Sequence, residues 1–598
     1  MSAAGNRRPS PGGTSGEVVL LWIGIVLVLG TVGSLYVTMH LGHRLAGTGV
    51  AVPSDPFAVA FGLLGGDLPW PGTTGTVVLV ALLVLVALLA VLVGLAVARL
   101  RGRRTRVDRA ASHMGRGRDV EALSRKSAEA TARRLGVAGV PGVPVGRAVG
   151  SGQQLYGSWE DMHIDIWGPR TGKTTSRAVP AILEAPGAVL VTSNKRDVVD
   201  ATRDLRARSG PVWVFDPQGV ATEPPGWWWD PLSYVTDEVR AARLAEHFAA
   251  GSRDPGARTD AFFDPAGQDL LAGLLLAAAL DRRPIMQVYS WLTRPTDETP
   301  VDILRAHGVV LTADQVAGVV TAPDKQRGGI YGTAQQMASC LTNRQIASWI
   351  APLEPGDTRP RFDPVSFVRD GGTLYSLSKE GRGTAGPLVT ALTVAVVEAA
   401  EELAARSAGG RLPVPMVGVL DEAANVCRWR ELPNLYSHYG SRGIVLMTIL
   451  QSWSQGVEVW GEAGMKKLWS AANIKVYGGG VSEAAFLEDL SRTIGDYDRL
   501  QSSSSYGRGH RTVSQQLQRE RILDVADLAA MPKGRAVVLA SGSRPTLIRT
   551  TPWMAGPHAE AVRASIAAHD PMARRTIDEA HQELAAVQAS DDGPRGAR

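Results

Sequence analysis

The sequence predicts an α/β fold with a parallel, doubly wound sheet, interrupted by an inserted all-α domain and anchored by an N-terminal two-helix transmembrane hairpin. Two long uncharged apolar runs near the start of the chain predict the hairpin. Short apolar segments that alternate with helical patterns predict the parallel sheet. The strand pattern lapses over residues 236–355, which predicts a helical insert between the two halves of one domain.

These observations divide the chain into seven predicted segments. They are a cytoplasmic N-terminus (1–17), the transmembrane hairpin (18–98, with helices 18–39 and 73–98), a basic helix and linker (99–152), the first part of the α/β domain (153–235), the inserted all-α domain (236–355), the second part of the α/β domain (356–569) and a polar C-terminal tail (570–598). The tail is expected to be a frayed helix followed by disordered residues.

The two apolar runs are each long enough to cross a bilayer, which takes about 20 residues. Arg7 and Arg8 precede the first run, six arginines follow the second within residues 99–109, and the connecting segment holds only Arg44. The positive-inside rule therefore predicts a multi-pass protein of the cell (inner) membrane with both termini in the cytoplasm. The first run lacks a clear cleavage site, which argues against a signal peptide. Two buried helices of a soluble protein are the alternative.

Composition limits the classes of function. The net charge of the 598 residues is only +5, so bulk charge does not mark a nucleic-acid binder. The basic excess lies within residues 99–134, next to a predicted membrane helix, where attraction to anionic headgroups explains it. Cys340 and Cys427 stand alone, without the paired spacing of a zinc site or a disulfide framework, as expected in a reducing compartment.

A glycine-rich loop follows the predicted strand at residues 163–166 and precedes a predicted helix. Trp167 stands where the phosphate-loop pattern has its first glycine, but the Gly-Lys-Thr end that contacts phosphates is intact. The loop is predicted to bind ATP, with Thr174 also reaching Mg²⁺. The predicted contacts are Gly168, Arg170, Thr171, Gly172, Lys173, Thr174 and Thr175. An ordinary glycine-rich turn is the alternative.

Two buried strands further along the chain end in polar residues. Residues 417–420 lead directly into Asp421, a predicted Mg²⁺ ligand, and Glu422, predicted to act on the attacking water. Residues 443–450 end at Gln451, which is placed to sense the γ-phosphate. A strand that stops at a solvated acidic turn is the alternative. Together with the loop, these residues predict a nucleotide-hydrolysing P-loop NTPase.

The remaining pattern is less specific. Residues 119–135 predict an amphipathic helix, and residues 136–152 predict a Gly/Pro-rich linker. Further strands are predicted at 188–192, 211–217 and 372–377, and a helix at 387–406. The tryptophans at 227–229 are either core packing or a platform on which bases stack.

These residues resemble a known family, the TraG-like type IV coupling proteins, which are membrane ATPases of bacterial conjugation. The resemblance rests on Leu-Asp-Glu-Ala-Ala-Asn at 420–425, Arg-Gly-Ile at 442–444 and Leu-Gln-Ser-Trp-Ser-Gln at 450–455. Shorter stretches at 214–217, 230–232 and 495–497 support it. It covers residues 155–553 together with the hairpin and the inserted helices. Family members commonly replace the first glycine of the phosphate loop.

The resemblance implies a RecA-like homo-hexameric ring at the membrane that uses ATP and Mg²⁺ to pass single-stranded DNA with bound relaxase, or protein, to secretion-channel proteins. Gly172, Lys173 and Thr174 would hold phosphates and metal, while Asp421, Glu422 and Gln451 would be metal ligand, base and sensor. A neighbouring subunit would supply an arginine, for which Arg442 is the candidate. A surface arginine paired with a nearby carboxylate is the alternative for this residue.

Two other functions compete with this interpretation. An FtsK-like translocase of double-stranded DNA shares membrane helices and a motor, but usually adds a winged-helix module for which residues 570–598 are too short and irregular. A receptor for secretion substrates with weak ATPase activity is the second alternative. The intact Lys173, Asp421 and Glu422 argue against a loss of catalysis. The inserted helices would recognise cargo, and their sequence does not reveal which.

Overall fold

The computed structural model describes residues 16–101, 105–252, 260–381, 383–507 and 510–592. The chain forms two compact units, Met1–Arg103 and Arg104–Arg598. The first contains three helices, which are α1 (Gly16–Ala46), α2 (Pro56–Gly65) and α3 (Gly72–Arg101). The second contains the α/β architecture and the inserted helices.

The N-terminal unit is built by α1 and α3, which contain the two predicted apolar runs. They pack closely where two glycines meet, because a Cβ atom on Gly42 would lie 3.2 Å from the Gly75 Cα. The side chain of Asp55 accepts a hydrogen bond from the Phe57 backbone N–H at 2.9 Å and so caps α2. Val77, Val80 and Leu88 on α3 are exposed. The helices agree with the predicted runs, and their insertion in a membrane stays a prediction.

One helix in the described part of the chain is long and apolar enough to cross a bilayer, by length and composition alone. It is Phe263–Leu280, and half of it is buried inside the all-α region. Leu270, Leu271, Leu274 and Leu275 fill the core there, so this helix has the burial of a core helix. Within α3, Gly72–Leu88 is a shorter apolar helix. Residues 1–15 of the predicted N-terminus lie outside the described residues.

Thirteen strands are described in the second unit. They are β1 (Val143–Ala148), β2 (Gln154–Gly157), β3 (His163–Ile166), β4 (Val189–Ser193), β5 (Val212–Phe215), β6 (Thr373–Leu377), β7 (Met416–Leu420), β8 (Ile444–Leu450), β9 (Ile474–Tyr477), β10 (Asp496–Gly507), β11 (His510–Arg521), β12 (Arg535–Ala540) and β13 (Thr546–Arg549). The strand order of the large sheet is β2-β1-β13-β12-β9-β3-β8-β7-β4-β6-β5, while β10 and β11 pair only with each other.

The helices follow in chain order. They are α4 (Arg106–Ala110), α5 (Arg125–Arg134), α6 (Val179–Glu184), α7 (Asp197–Arg206), α8 (Glu238–Ser252), α9 (Phe263–Leu280), α10 (Met286–Leu292), α11 (Thr299–Ala306), α12 (Val310–Val320), α13 (Asp324–Met337), α14 (Arg344–Ile350), α15 (Pro364–Asp370), α16 (Gly386–Arg406), α17 (Ala423–Val426), α18 (Leu432–Tyr439), α19 (Trp453–Ala471), α20 (Ala484–Ile494), α21 (Val525–Ala529), α22 (Ala559–His569) and α23 (Ala573–Asp592). Helices α8 to α14 lie between β5 and β6, where the strand pattern of the sequence lapses.

The sheet is parallel from β9 to β5, which confirms the predicted α/β fold class. Strands β3, β4, β6, β7 and β8 are buried along their whole length, as continuous apolar runs in a parallel sheet require. Strands β12, β13, β1 and β2 extend the sheet in antiparallel fashion. Because parallel strands share one carboxyl edge, the residues that follow β3, β7 and β8 come together.

Residues 119–152, near the start of the second unit, differ from their prediction. Residues 119–135 do not form one helix, because Ser124 is extended and its hydroxyl caps α5 by accepting from the Ser127 N–H at 3.1 Å. The predicted linker at 136–152 contains β1, which pairs with both β2 and β13. The glycines and Pro144 of this segment are unfavourable for a strand in isolation. The strand forms because it pairs with β13, from a distant part of the sequence.

In the tryptophan cluster at 227–229, two of the rings pack in the hydrophobic core. Trp227 and Trp229 are buried, and the Trp227 ring meets the rings of Trp213 and Trp349 edge to face at 5.3 and 5.7 Å between centroids. Arg361 lies over the Trp228 ring. The base-stacking alternative is therefore wrong for the two buried rings.

Candidate nucleotide-binding site

The glycine-rich loop connects β3 to a helix that begins at Thr174 and continues into α6. The backbone N–H of Trp167 donates to the Leu450 carbonyl at 3.0 Å, and that of Gly168 donates to the Gly479 carbonyl at 2.9 Å. The loop therefore lies at the carboxyl edge of the sheet, against the ends of β8 and β9. Gly172 has a φ of +92° and Arg170 a φ of +59°. Positive φ at Gly172 costs little, whereas at Arg170 it stores strain.

Trp167 is a core residue beneath the loop. Its ring is fully buried and its Nε1–H donates to Asp165 Oδ2 at 3.2 Å. A Cβ atom on Gly478 would meet the ring at 2.0 Å, so glycine is required there. Gly168 approaches the Gly480 carbonyl equally closely, and a Cβ atom at Gly168 would lie 2.0 Å from it. Gly168 thus takes the close approach that the usual first glycine would make one residue earlier.

A buried ion pair holds the helix to the strand that precedes the loop. Arg177 is fully buried, and its Nε donates to Asp165 Oδ2 at 2.6 Å. The same guanidinium donates to the Pro144 carbonyl, which ties β1 to the loop. Sequence reasoning missed both residues, because an aspartate inside an apolar strand carries no signal of its partner. Loss of either partner would leave an uncompensated buried charge, at a cost of about 3–5 kcal/mol.

Four predicted site residues meet beside the loop. The Lys173 ammonium lies 3.0 Å from Asp421 Oδ1 and donates a hydrogen bond to Glu422 Oε1. The side-chain amide of Gln451 donates to the same Glu422 oxygen at 2.6 Å. Thr192, on β4, donates through its hydroxyl to the Asp421 carbonyl at 3.2 Å. The loop and the ends of β7 and β8 therefore form one cluster.

Glu422 has an unusual backbone conformation for its residue type. Its φ is +55°, in the left-handed region that side-chain-bearing residues rarely adopt. The turn directs the chain from β7 into α17 and places the Glu422 carboxylate against Lys173 and Gln451. Backbone strain of this kind costs about 1–3 kcal/mol and persists where surrounding structure enforces it.

The cluster carries more negative than positive charge. Burial raises the pKa of Asp421 to about 6, while Lys173 opposes this shift and Glu422 and Asp197 add to it. Burial also raises the pKa of Asp197. Burial lowers the pKa of Lys173, but Asp421 and Glu422 outweigh that effect and raise it overall. Lys195 opposes the shift at Asp197, so the Lys173 ammonium contacts two carboxyl groups, Asp421 and Glu422. An added divalent cation would balance the excess negative charge of this pair.

The donor set fits a nucleotide with Mg²⁺. Asp421 Oδ1 is buried, and beyond the Lys173 ammonium 3.0 Å away it has no hydrogen-bond partner among the described residues. Carboxylate and hydroxyl oxygens, here of Asp421 and Thr174, are hard ligands that suit Mg²⁺. The described residues contain no group of three or more His, Cys, Asp or Glu placed to hold a metal.

A second set of polar side chains surrounds Glu422. Asn425 Nδ2 donates to Glu422 Oε2 at 3.4 Å and to Glu380 Oε1 at 2.8 Å. Asn194 Nδ2, after β4, donates to the same Glu380 oxygen at 2.7 Å. These contacts join the ends of β4, β6 and β7 and orient the carboxylate of Glu422. The sequence shows Asn425 inside the 420–425 motif, whereas Glu380 and Asn194 carry no local signal.

Arg442 lies at the other edge of the sheet. It precedes β8, whose far end carries Gln451, and its Nη1 is 3.1 Å from Glu401 Oε1. The structure thus does not bring Arg442 to the loop of its own subunit. The ion pair with Glu401 is the contact that the surface alternative requires. A role in the site of a neighbouring subunit stays a prediction.

Thr175 has a partner that sequence reasoning missed. Its hydroxyl donates to Glu583 on α23, and it also contacts the Gly172 carbonyl at 3.1 Å. Residues from 573 to 592, predicted as a frayed helix, thus form an ordered helix at the loop. Residues 593–598 lie outside the described residues.

Comparison with known proteins gives one family match. Residues 415–533 match the family described as "TraM recognition site of TraD and TraG". This segment begins at β7 and includes Asp421, Glu422, Arg442 and Gln451. No curated protein matches the chain.

Among solved structures, the chain is similar to two forms of a plasmid coupling protein. The bacterial conjugative coupling protein TrwBdeltaN70 is 17% identical, with 65% of this chain and 85% of that one covered and a TM-score of 0.46. TrwB in complex with the ATP analogue ADPNP is 18% identical, with 66% of this chain and 85% of that one covered and a TM-score of 0.47.

VirB4 of Thermoanaerobacter pseudethanolicus is 13% identical over 70% of this chain and 98% of its own, with a TM-score of 0.39. The family match, by contrast, falls on the residues from which the resemblance was drawn. Residues 415–533 thus match this family, and the matched segment contains the motifs at 420–425, 442–444 and 450–455.

Proposed function

We propose that this protein is a membrane-anchored ATPase that couples ATP hydrolysis to the translocation of single-stranded DNA with bound relaxase into a type IV secretion channel. The observation that carries the proposal is the cluster of Lys173, Asp421, Glu422 and Gln451 at the glycine-rich loop. The match of residues 415–533 to the TraD and TraG family supports the conjugative role. The solved TrwB complexes contain ATP and GTP analogues or ADP with Mg²⁺, and we extend nucleotide binding to this chain on its own loop geometry.

The contacts of Lys173 suggest how substrate binding would prepare the base. Its ammonium now lies on Glu422 and Asp421. A bound triphosphate would draw the ammonium toward its β and γ phosphates, and Glu422 would lose a cation that competes for its lone pairs. Glu422 would then accept the proton of the attacking water, while Gln451 stays within hydrogen-bond reach. Mg²⁺, held by Thr174 and Asp421, would stabilise charge that develops on the phosphates.

The test of this function is ATP hydrolysis by the full chain in detergent, with and without DNA. We expect single-stranded DNA to raise the rate and blunt double-stranded DNA of equal length to raise it less, because the proposed cargo is a single strand. Lys173→Ala protein measures contaminating activity. Greater stimulation by double-stranded DNA would favour the FtsK-like alternative. A rate that neither DNA changes would favour a substrate receptor with weak ATPase activity.

The membrane anchor has its own prediction. Because arginines flank both apolar runs on their outer sides, a reporter inserted after Ala60 should be exposed outside the cytoplasm. A reporter at the chain end, Arg598, should stay inside. The measurement is paired alkaline phosphatase and fluorescent-protein fusions in cells. Cytoplasmic location of the Ala60 insertion would contradict the hairpin and remove the anchor from the proposed function.

Assembly completes the proposal. A homo-hexameric ring would place each nucleotide between two subunits, and Arg442 would act in the site of the neighbour. Its position at the edge of the sheet opposite its own loop suits a residue that serves another subunit. The inserted helices α8 to α14 would recognise cargo or accessory proteins.

A further inference from the structure

The C-terminal helix α23 reaches the phosphate-binding loop. Glu583, in the middle of this helix, accepts a hydrogen bond from the Thr175 hydroxyl. Its Oε1 would lie 2.6 Å from a Cβ atom built on Gly172. The carboxylate is therefore in contact with two residues of the loop that the proposed function assigns to phosphate binding. Thr175 and Glu583 lie 408 positions apart in the sequence.

The helix is held in place by apolar contacts and one polar anchor. Ala580 and Val587 are buried, and Ile577 and Leu584 pack beside them. This spacing places all four on one stripe of a helix. Val587 covers Gly534, where a Cβ atom would meet it at 2.7 Å, and the Ser590 hydroxyl donates to the Lys533 carbonyl at 2.8 Å.

The surroundings of Glu583 stabilise its ionised carboxylate only weakly. Burial raises its pKa, while the Thr175 hydroxyl and the charge of Lys533 oppose that shift. Thr175 is its one hydrogen-bond partner among the described contacts. The carboxylate is thus partly buried with one neutral hydrogen-bond partner and the charge of Lys533, and burial still outweighs both. Glu579, one turn away on the same helix, is solvent-exposed and paired with Arg575 instead.

A carboxylate and a nucleotide phosphate are both anions and would compete for this part of the loop. Two unit charges of like sign at contact distance repel strongly in a partly buried site. Binding of a nucleotide thus requires Glu583 to move, to become protonated or to be neutralised. The carboxylate can leave the loop by a change of the Glu583 rotamer or together with the whole of α23, and hydrogen exchange across the helix distinguishes the two.

We propose that α23 is an autoinhibitory element whose Glu583 occupies the phosphate-binding loop and lowers its affinity for nucleotide. The inference rests on the proposed function, since it presumes that the loop binds nucleotide. An event that displaces α23, such as docking of a partner on the C-terminal region, would then raise the affinity of the site. The helix would link assembly at one surface to ATP binding at the loop.

The test compares nucleotide affinity in full-chain variants. Glu583→Gln keeps the shape and removes the charge, and it should bind a fluorescent ADP analogue with Mg²⁺ about tenfold more tightly or better than the unmodified protein. Glu579→Gln, one turn away with a side chain 61% exposed, is the matched control and should not change affinity. Circular dichroism and thermal unfolding establish that each variant is folded.

A second measurement follows the helix itself. Amide hydrogen exchange across residues 573–592 should increase when ADP and Mg²⁺ saturate the unmodified protein, because the helix leaves the loop. Glu583→Gln protein that binds as the unmodified protein does, or more weakly, would overturn autoinhibition while leaving the proposed function intact. Unchanged exchange would overturn displacement of the helix by nucleotide. Absence of binding in every variant, Glu583→Gln included, would overturn the proposed function and this inference with it.

Discussion

Lys173→Ala is expected to abolish nucleotide binding, and Glu422→Gln to retain binding while turnover falls by about 10²–10⁴-fold. The lysine supplies the positive charge nearest to the phosphates, whereas Glu422 acts only when water attacks. Both side chains are nearly buried in one cluster. The two variants therefore separate binding from chemistry. Equilibrium titration with a fluorescent nucleotide gives the first quantity, and steady-state phosphate release gives the second.

A matched pair of control variants lies on α19. Glu462 and Lys466 form an exposed ion pair, with side chains 63% and 69% exposed. Glu462→Gln and Lys466→Ala make the same chemical changes on the surface and should leave binding and turnover unchanged. Hydrolysis by Glu422→Gln protein at the unmodified rate would show that another group activates the water. Undiminished binding by Lys173→Ala protein would refute phosphate binding by the loop.

Arg442→Ala is expected to leave nucleotide binding nearly intact and to reduce hydrolysis by about 10³–10⁵-fold if the residue acts in a neighbouring site. A surface ion pair contributes only about 0–1 kcal/mol, so the two roles differ by a measurable margin. Glu401→Ala is the control, since it removes the same ion pair and keeps the arginine. Equal effects of the two substitutions would assign Arg442 to the surface pair and make Arg492 the next arginine to test.

Mixed assemblies give the decisive version of this test. Arg442→Ala and Lys173→Ala subunits are each expected to be inactive alone. In a mixed ring, some sites would combine an intact loop with an intact arginine from the adjacent subunit, so activity should partly return. Activity that stays absent across all mixing ratios, in rings shown to be mixed, would contradict action between subunits.

The sequence predicts well those features whose signal is local. Strands β7 and β8 are continuous apolar runs and β3 is an alternating one, and the structure has strands at all three predicted places. Lys173, Asp421, Glu422 and Gln451 lie beside one another, whereas their roles in catalysis stay predictions. Parallel pairing explains their meeting, since it brings the strand ends to one edge.

Features that depend on distant partners escape prediction. The hairpin of β10 and β11 is polar along its length, and its base is stabilised by cross-strand ion pairs such as Arg499 with Glu520 rather than by apolar alternation. Asp165 and Arg177 can be buried only because they pair with each other, and the sequence around either residue does not indicate its partner. Glu583 lies in a polar helical stretch whose sequence is typical of a solvent-exposed helix. Its contact with Thr175 of the glycine-rich loop is visible only in the structure.

The strand order of the large sheet has a consequence for synthesis on the ribosome. The backbone N–H of Met162, just before β3, donates to Asn473, 311 residues later, and β3 also needs β9 beside it. At about 5–20 residues per second, β3 waits about 15–60 s for that neighbour. The glycine-rich loop is thus translated early, but its contacts with the sheet form late. The Gly479 carbonyl, which accepts the Gly168 N–H, lies just after β9. A gene interrupted after residue 455 would still encode every motif of the nucleotide site, yet its product would lack the strand on which the loop rests.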